Sequence, residues 1–116
     1  MSHVGSNLEL HEQELRRGTV VLACLLMLRT PEYGYQLLEQ LQRAGIDVDA
    51  NTLYPLLRRL EKQGFLSSEW NTDEARPRKY YVTSADGRVA ASRLAAEWSA
   101  LNGALVALME EGTPTS

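Results

Sequence analysis

Leu53, Leu56, Leu57 and Leu60 recur at three- and four-residue intervals between Asp49 and Gly64. This spacing gathers them on one side of a helix and leaves Asn51, Thr52, Tyr54, Arg58, Arg59 and Lys62 off it. The stretch therefore has a buried seam and a polar, aromatic and basic face. Asp49 suits the N-cap and Gly64 the left-handed stop. Pro55 has no amide proton and crowds the carbonyl four residues back, so it belongs in the first turns, with a tightened or kinked start. Asn and Thr hydrogen-bond base edges or phosphates, Tyr54 adds a hydroxyl on a flat apolar body, and Arg58 and Arg59 suit phosphates. Taken alone, the stretch favours a solvated helix face, and its neighbours change the balance.

Upstream, residues 33–45 carry Leu37, Leu38 and Leu41 on one face and end at Gly45, which predicts a second short helix. Residues 46–50 connect the two with a turn of helix-turn-helix length. Downstream, residues 65–71 and 78–83 favour β-structure and flank the turn-forming run Asn71-Thr72-Asp73-Glu74-Ala75-Arg76-Pro77. Helix-turn-helix followed by a two-stranded hairpin is a winged helix. Arg76, Arg78 and Lys79 then stand at or beside the wing tip, where the backbone of a bound duplex would pass.

A first helix is predicted over residues 9–29, broken by Thr30-Pro31-Glu32. Its second half, residues 19–28, is apolar around the whole circumference and must be covered on more than one side. One side is a candidate subunit interface. A last helix opens near Thr83 or Ser84, with Thr83-Ser84-Ala85-Asp86 resembling a capping box, and runs to about residue 111, roughly 42 Å at 1.5 Å per residue. Leu94, Trp98, Leu101, Leu105 and Leu108 step along it by 4, 3, 4 and 3, a coiled-coil seam that calls for a partner. The expected organisation is mainly α with a small β-hairpin. Residues 9–83 form a winged helix-turn-helix, residues 84–111 a C-terminal dimerisation helix, and residues 1–8 and 112–116 loose termini.

Composition narrows the function classes. The chain has 116 residues, a formal charge of −3 and a pI near 5.4, which weighs mildly against nucleic acid. The distribution weighs the other way: residues 51–80 hold six basic and four acidic side chains, a local +2 on a body of −5. Cys24 is the only cysteine and shares no metal-ligand spacing with His3 or His11, so neither a disulfide framework nor a metal site is expected. The apolar run 20–28 is too short to span a membrane, and an intracellular, cytoplasmic protein without cofactor is expected. No nucleophile-base pattern or glycine-rich phosphate loop indicates an enzyme.

Four stretches in order resemble the PadR family of transcriptional regulators. They are Leu15-Arg16-Arg17-Gly18-Thr19, Tyr33-Gly34-Tyr35-Gln36-Leu37, Asn51-Thr52-Leu53-Tyr54-Pro55-Leu56-Leu57-Arg58-Arg59-Leu60-Glu61, and Arg78-Lys79-Tyr80-Tyr81-Val82-Thr83. The Thr-Leu-Tyr-Pro run is the specific one. Asn51 and Pro77 stand where many members carry Gly. The single C-terminal helix is similar to the short-tailed branch that includes multidrug-sensing repressors. The resemblance implies a homodimeric repressor of double-stranded DNA, with Tyr35, Gln36, Asn51, Thr52, Tyr54, Arg58, Arg59, Arg76, Arg78 and Lys79 at the DNA. In that branch a Trp midway along the last helix faces its symmetry mate and stacks on flat aromatic ligands, and Trp98 occupies the matching place.

A Trp at a heptad position is more often packing than a ligand platform. Here, however, Ala95, Ala96 and Asn102 fill space poorly around the ring, and two copies would leave a slot for a planar aromatic molecule. Val21, Cys24, Leu25 and Leu94 are candidate walls and Asn102 a candidate polar contact, while Leu94, Leu101, Leu105 and Leu108 are the candidate dimer seam. The rival class is a winged-helix protein-interaction module that never touches DNA. Salt-sensitive binding to random DNA separates the two.

Overall fold

The computed structural model describes residues 3–73 and 75–112. In chain order the elements are α1 (His3–Met27), β1 (Glu32–Tyr33), α2 (Gly34–Arg43), α3 (Ala50–Lys62), β2 (Leu66–Asn71), β3 (Arg78–Thr83) and α4 (Ala85–Glu111). A mainly helical winged helix with a long C-terminal helix is therefore what the sequence forms. One element is new. β1 pairs antiparallel with β3, Glu32 opposite Tyr81 and Tyr33 opposite Tyr80, which makes the wing a three-stranded sheet of order β1-β3-β2. Two residues are too few to show strand alternation, so the sequence pattern assigned Tyr33 to the following helix.

α2 and α3 stop by the same device. The Ile46 amide reaches back to the Leu41 carbonyl and the Phe65 amide to the Leu60 carbonyl. Gly45 and Gly64 supply the positive φ of 87° and 83° that this reversal requires. α3 starts as its sequence predicts, with the Asp49 carboxylate accepting from the Thr52 amide at 2.8 Å. Its seam, Leu53, Leu56, Leu57 and Leu60, joins Val20, Cys24, Leu25 and Leu28 of α1 and Leu37 and Leu41 of α2 in one core.

The segment between β3 and α4 ties the elements together. Thr83 is buried; its hydroxyl donates to the Leu25 carbonyl and its amide to the Leu28 carbonyl, both at 2.7 Å. These are carbonyls at the end of α1 that the helix itself cannot satisfy. Ser84 caps α4 by accepting from the Gly87 amide at 3.0 Å, and its hydroxyl donates to the Gly64 carbonyl at 2.6 Å. The expected capping box is only half present, because the cap falls on Ser84 and the third helical position is Gly87, which has no side chain to reach back. Nothing larger fits there: a Cβ on Gly87 would lie 2.0 Å from the Phe65 carbonyl oxygen.

Outside the core the two end helices are bare. α1 begins at His3 and continues through residues 3–8, where a loose terminus was expected; no proline interrupts it, and Gly5 is a modest helix penalty. Residues 5–19 are all exposed, and so are residues 96–111 of α4. Residues 1–2 and 113–116, expected to be loose, lie outside the described residues, while Gly112 is the C-cap of α4. The radius of gyration is 17.6 Å and the longest extent 65 Å. A compact chain of this length would have a radius of gyration near ~13 Å. Two helical arms thus project from the winged body.

Gly87→Ala is expected to destabilise the protein by about 3 kcal/mol or more, because the obstacle is backbone. Gly103 lies in α4 opposite the Leu94–Leu108 stripe with nothing near its Cβ position, so Gly103→Ala should stabilise by roughly 0.5–1 kcal/mol. Urea unfolding at one fixed protein concentration measures both, and equal effects would contradict the packing at Gly87.

Candidate nucleic-acid interface

The exposed end of α3 is built by its neighbours. Asn51, Thr52, Pro55, Arg58 and Arg59 are exposed while the leucines between them are buried. Pro55 lies within the continuous helix, and its missing amide leaves the Asn51 carbonyl without an intrahelical donor. Tyr54 is half-buried under the first turn of α2. A Cβ on Gly34 would come within 2.7 Å of the Tyr54 ring, so the glycine lets the ring lie close beneath that turn.

Strand alternation divides the wing into two faces. On the outer face the Arg78 guanidinium lies 5.0 Å over the Tyr35 ring, which itself stacks on Tyr33 with centroids 5.9 Å apart. Asn71 Nδ2 donates to Tyr33 Oη at 2.7 Å, and Tyr80 Oη donates to Glu69 at 2.8 Å. That bond to a carboxylate raises the Tyr80 pKa. On the inner face Lys79 Nζ donates to Glu61 of α3 at 3.0 Å and lies 5.3 Å over Tyr81. Glu61 also accepts from the Ser68 hydroxyl. The Ser68 bond first and Lys79 second hold the Glu61 carboxyl below its ordinary range; the Glu61 hydrogen bond raises the Lys79 ammonium.

An open cleft of about 440 Å³ lies between the start of α3 and the wing. Tyr35, Tyr54, Trp70, Arg76, Pro77 and Arg78 line it, among others. The candidate DNA residues Tyr35, Tyr54, Arg76 and Arg78 come together here, and Asn51, Thr52, Arg58 and Arg59 occupy the exposed side of α3. Two candidates also make contacts within the protein. Gln36 Oε1 accepts from the Tyr33 amide at 3.1 Å as part of the α2 cap, and Lys79 lines the cleft while its ammonium pairs with the half-buried Glu61. Trp70, 62% exposed at the cleft, carries no periodic pattern that marks it in the sequence. The hairpin register was the signal available, because it sets Trp70 directly opposite Lys79.

The other candidate group is split by burial. Leu94, Trp98 and Asn102 are exposed along α4, with Trp98 at 53%, and Leu101, Leu105 and Leu108 continue that stripe. Val21 is half-buried against the core, whereas Cys24 and Leu25 have no accessible surface in the single chain. Burial pushes the Cys24 thiol up to about 12, so it stays protonated and unreactive.

Comparison with known proteins agrees with this architecture. The profile of the transcriptional regulator PadR-like family matches residues 21–93. The chain belongs to that family. The transcriptional regulator Rv3488 of Mycobacterium tuberculosis is 38% identical over 79 residues, covering 67% of this chain and 74% of that protein. A PadR family transcriptional regulator from Eggerthella lenta is 44% identical with a TM-score of 0.84, covering 91% of this chain and 95% of that one. A Streptococcus transcriptional regulator is 28% identical with a TM-score of 0.74, over 82% and 96% of the two chains. The PadR-like family is one of transcriptional regulators, not enzymes. Among the described residues no helix is long and apolar enough to cross a membrane.

Glu61→Gln should lower stability near neutrality by roughly 1 kcal/mol, since it leaves Lys79 without its anion. The Glu61 pKa is lowered in the fold, so its contribution is present above the ordinary carboxylate range and is lost as pH falls through the folded value. Chemical unfolding of both proteins across acid pH should show the curves converging. A difference that persists in acid would assign the effect to packing.

Proposed function

We propose that this PadR-like chain is a homodimeric, sequence-specific DNA-binding repressor acting in the cytoplasm, relieved by a planar aromatic molecule at the dimer interface. The observation that supports DNA binding most directly is that the polar side of α3 and the wing are both accessible, with Arg58, Arg59 and Arg76 exposed and Arg78 half-buried beside the cleft. α3 would enter the major groove, with Thr52 and Tyr54 at base edges, while Arg78 contacts phosphate. Support for the dimer comes from the two bare helical arms. Among the described residues the Leu94, Trp98, Leu101, Leu105 and Leu108 stripe stays exposed, and an apolar surface of that length is unusual on a monomer. Support for a ligand at Trp98 is the exposed ring among small and polar neighbours. Cys24 and Leu25 could only back such a pocket.

Selection of bound sequences from random duplex DNA tests the central claim. Thr52→Ala and Tyr54→Ala should relax sequence preference by about 1–3 kcal/mol at individual positions. Arg78→Ala should weaken all duplexes alike and reduce the salt slope by about 1. A Tyr54→Ala, Arg58→Ala double variant with undiminished operator affinity would remove α3 as the reading helix.

For the dimer, Leu101→Glu combined with Leu105→Glu should give monomers or unfolded chain in sedimentation velocity. A wild-type chain that sediments as a folded monomer at micromolar concentration refutes it. For the ligand, planar aromatic molecules should quench Trp98 fluorescence in a Trp70→Phe background. Planar aromatics that leave the Trp98 emission unchanged at micromolar concentration would remove the site.

A further inference from the structure

Trp70 presents a large apolar ring, 62% exposed, on a small polar wing. A single exposed aromatic is ordinary on a protein surface. This one belongs to a set, for it shares the cleft beside α3 with Tyr35, which is 43% exposed, with the half-buried Tyr54 and with exposed Pro77. The described lining residues include Arg76, Arg78 and Lys79 but no carboxylate. An aromatic wall beside a cationic rim has the complement of a sugar-phosphate strand, whose deoxyribose faces are apolar and whose phosphates are anionic. The cleft is also open, so it can pass a continuous polymer where it would enclose a small molecule poorly.

We infer that the cleft between α3 and the wing seats one strand of the duplex backbone, with Trp70 packing on deoxyribose while Arg76 and Arg78 hold the adjoining phosphates. This rests on the DNA-binding function proposed above and adds a contact of a different kind. Trp70 carries no charge, so it releases no counterions and contributes equally for every sequence. Tyr35 has a second part in the same seat: its ring underlies the Arg78 guanidinium and sets the height of the cation above the cleft.

The two contact types separate experimentally. Trp70→Ala should weaken binding to all duplexes by roughly five- to thirtyfold with the salt slope unchanged, whereas Arg78→Ala lowers the slope. Wild-type protein labelled with 5-fluorotryptophan gives two fluorine resonances, assigned through Trp70→Phe. Addition of a mixed-sequence duplex should shift the Trp70 resonance while the anisotropy of labelled duplex reports binding independently. DNA that binds by anisotropy but leaves the Trp70 resonance in place overturns the seat and spares the DNA-binding function. So does a Trp70→Ala variant that binds like wild type. A chain that binds no duplex at low salt overturns both. A Trp70 shift produced by benzoate and not by DNA would assign the cleft to a small aromatic anion and overturn the seat.

Discussion

The buried Thr83 hydroxyl, donating to the Leu25 carbonyl, is the contact on which the arrangement of the other elements depends. A helix end carries carbonyls without internal donors, and at the end of α1 two of them lie under β3 rather than in water. Thr83 satisfies Leu25 with its side chain and Leu28 with its amide. The next residue, Ser84, donates its amide to the Phe65 carbonyl and its hydroxyl to that of Gly64, so the end of α3 and the start of β2 are held at the same point. Gly87 then lets α4 lie against the Phe65 carbonyl at a distance no side chain would permit. Five consecutive residues thereby join α1, α3, the wing and α4. These contacts fix the start of α4 against the ends of α1 and α3.

That joint explains which features were legible in the sequence. The helices of the winged body follow from leucine spacing and from the Asp49 and Gly64 caps, because these are local signals repeated over several turns. The hairpin follows from two β-favourable runs around a turn. The Thr83 contacts could not be found this way. They link residues 58 positions apart, and a buried Thr with a long-range partner has the same local pattern as one that caps a helix. The capping-box pattern at Thr83 to Asp86 was indeed a competing use of the same residue, and the tertiary contact took it. β1 was hidden for a different reason, since a two-residue strand has no period of its own and exists only because β3 offers an edge.

Much of the candidate site was legible as residue types and less as roles. Tyr35 and Gln36 are neighbours in the sequence, yet one faces the cleft with Arg78 over its ring and the other closes the α2 cap. Helical spacing and the family resemblance place Trp98 and Cys24 near one pocket. Burial separates them: the first is exposed on a projecting arm, the second is sealed in the core. Helical spacing places a residue on a face, but whether that face meets the protein or the solvent depends on which turns of α1 and α4 the small body can reach. It covers the last two turns of α1 and the first two of α4.

Arg78 and Lys79 show the same limit in the wing, where the answer comes from the pleat. Adjacent residues of a strand point to opposite faces. Arg78 is turned to the outer face, over Tyr35, and Lys79 to the inner face, where Glu61 of α3 holds it at 3.0 Å. A count of charge along the sequence credits both cations to a basic patch. The fold uses Lys79 to fasten the wing to α3, and because Glu61 belongs to the same segment, the pair leaves the local excess of positive charge on residues 51–80 unchanged. Beside that pair, arginines of α3 and of the wing stand around an aromatic cleft. The Lys79–Glu61 pair fixes the wing against α3, and with it the height at which the Arg78 guanidinium lies over Tyr35 beside the cleft.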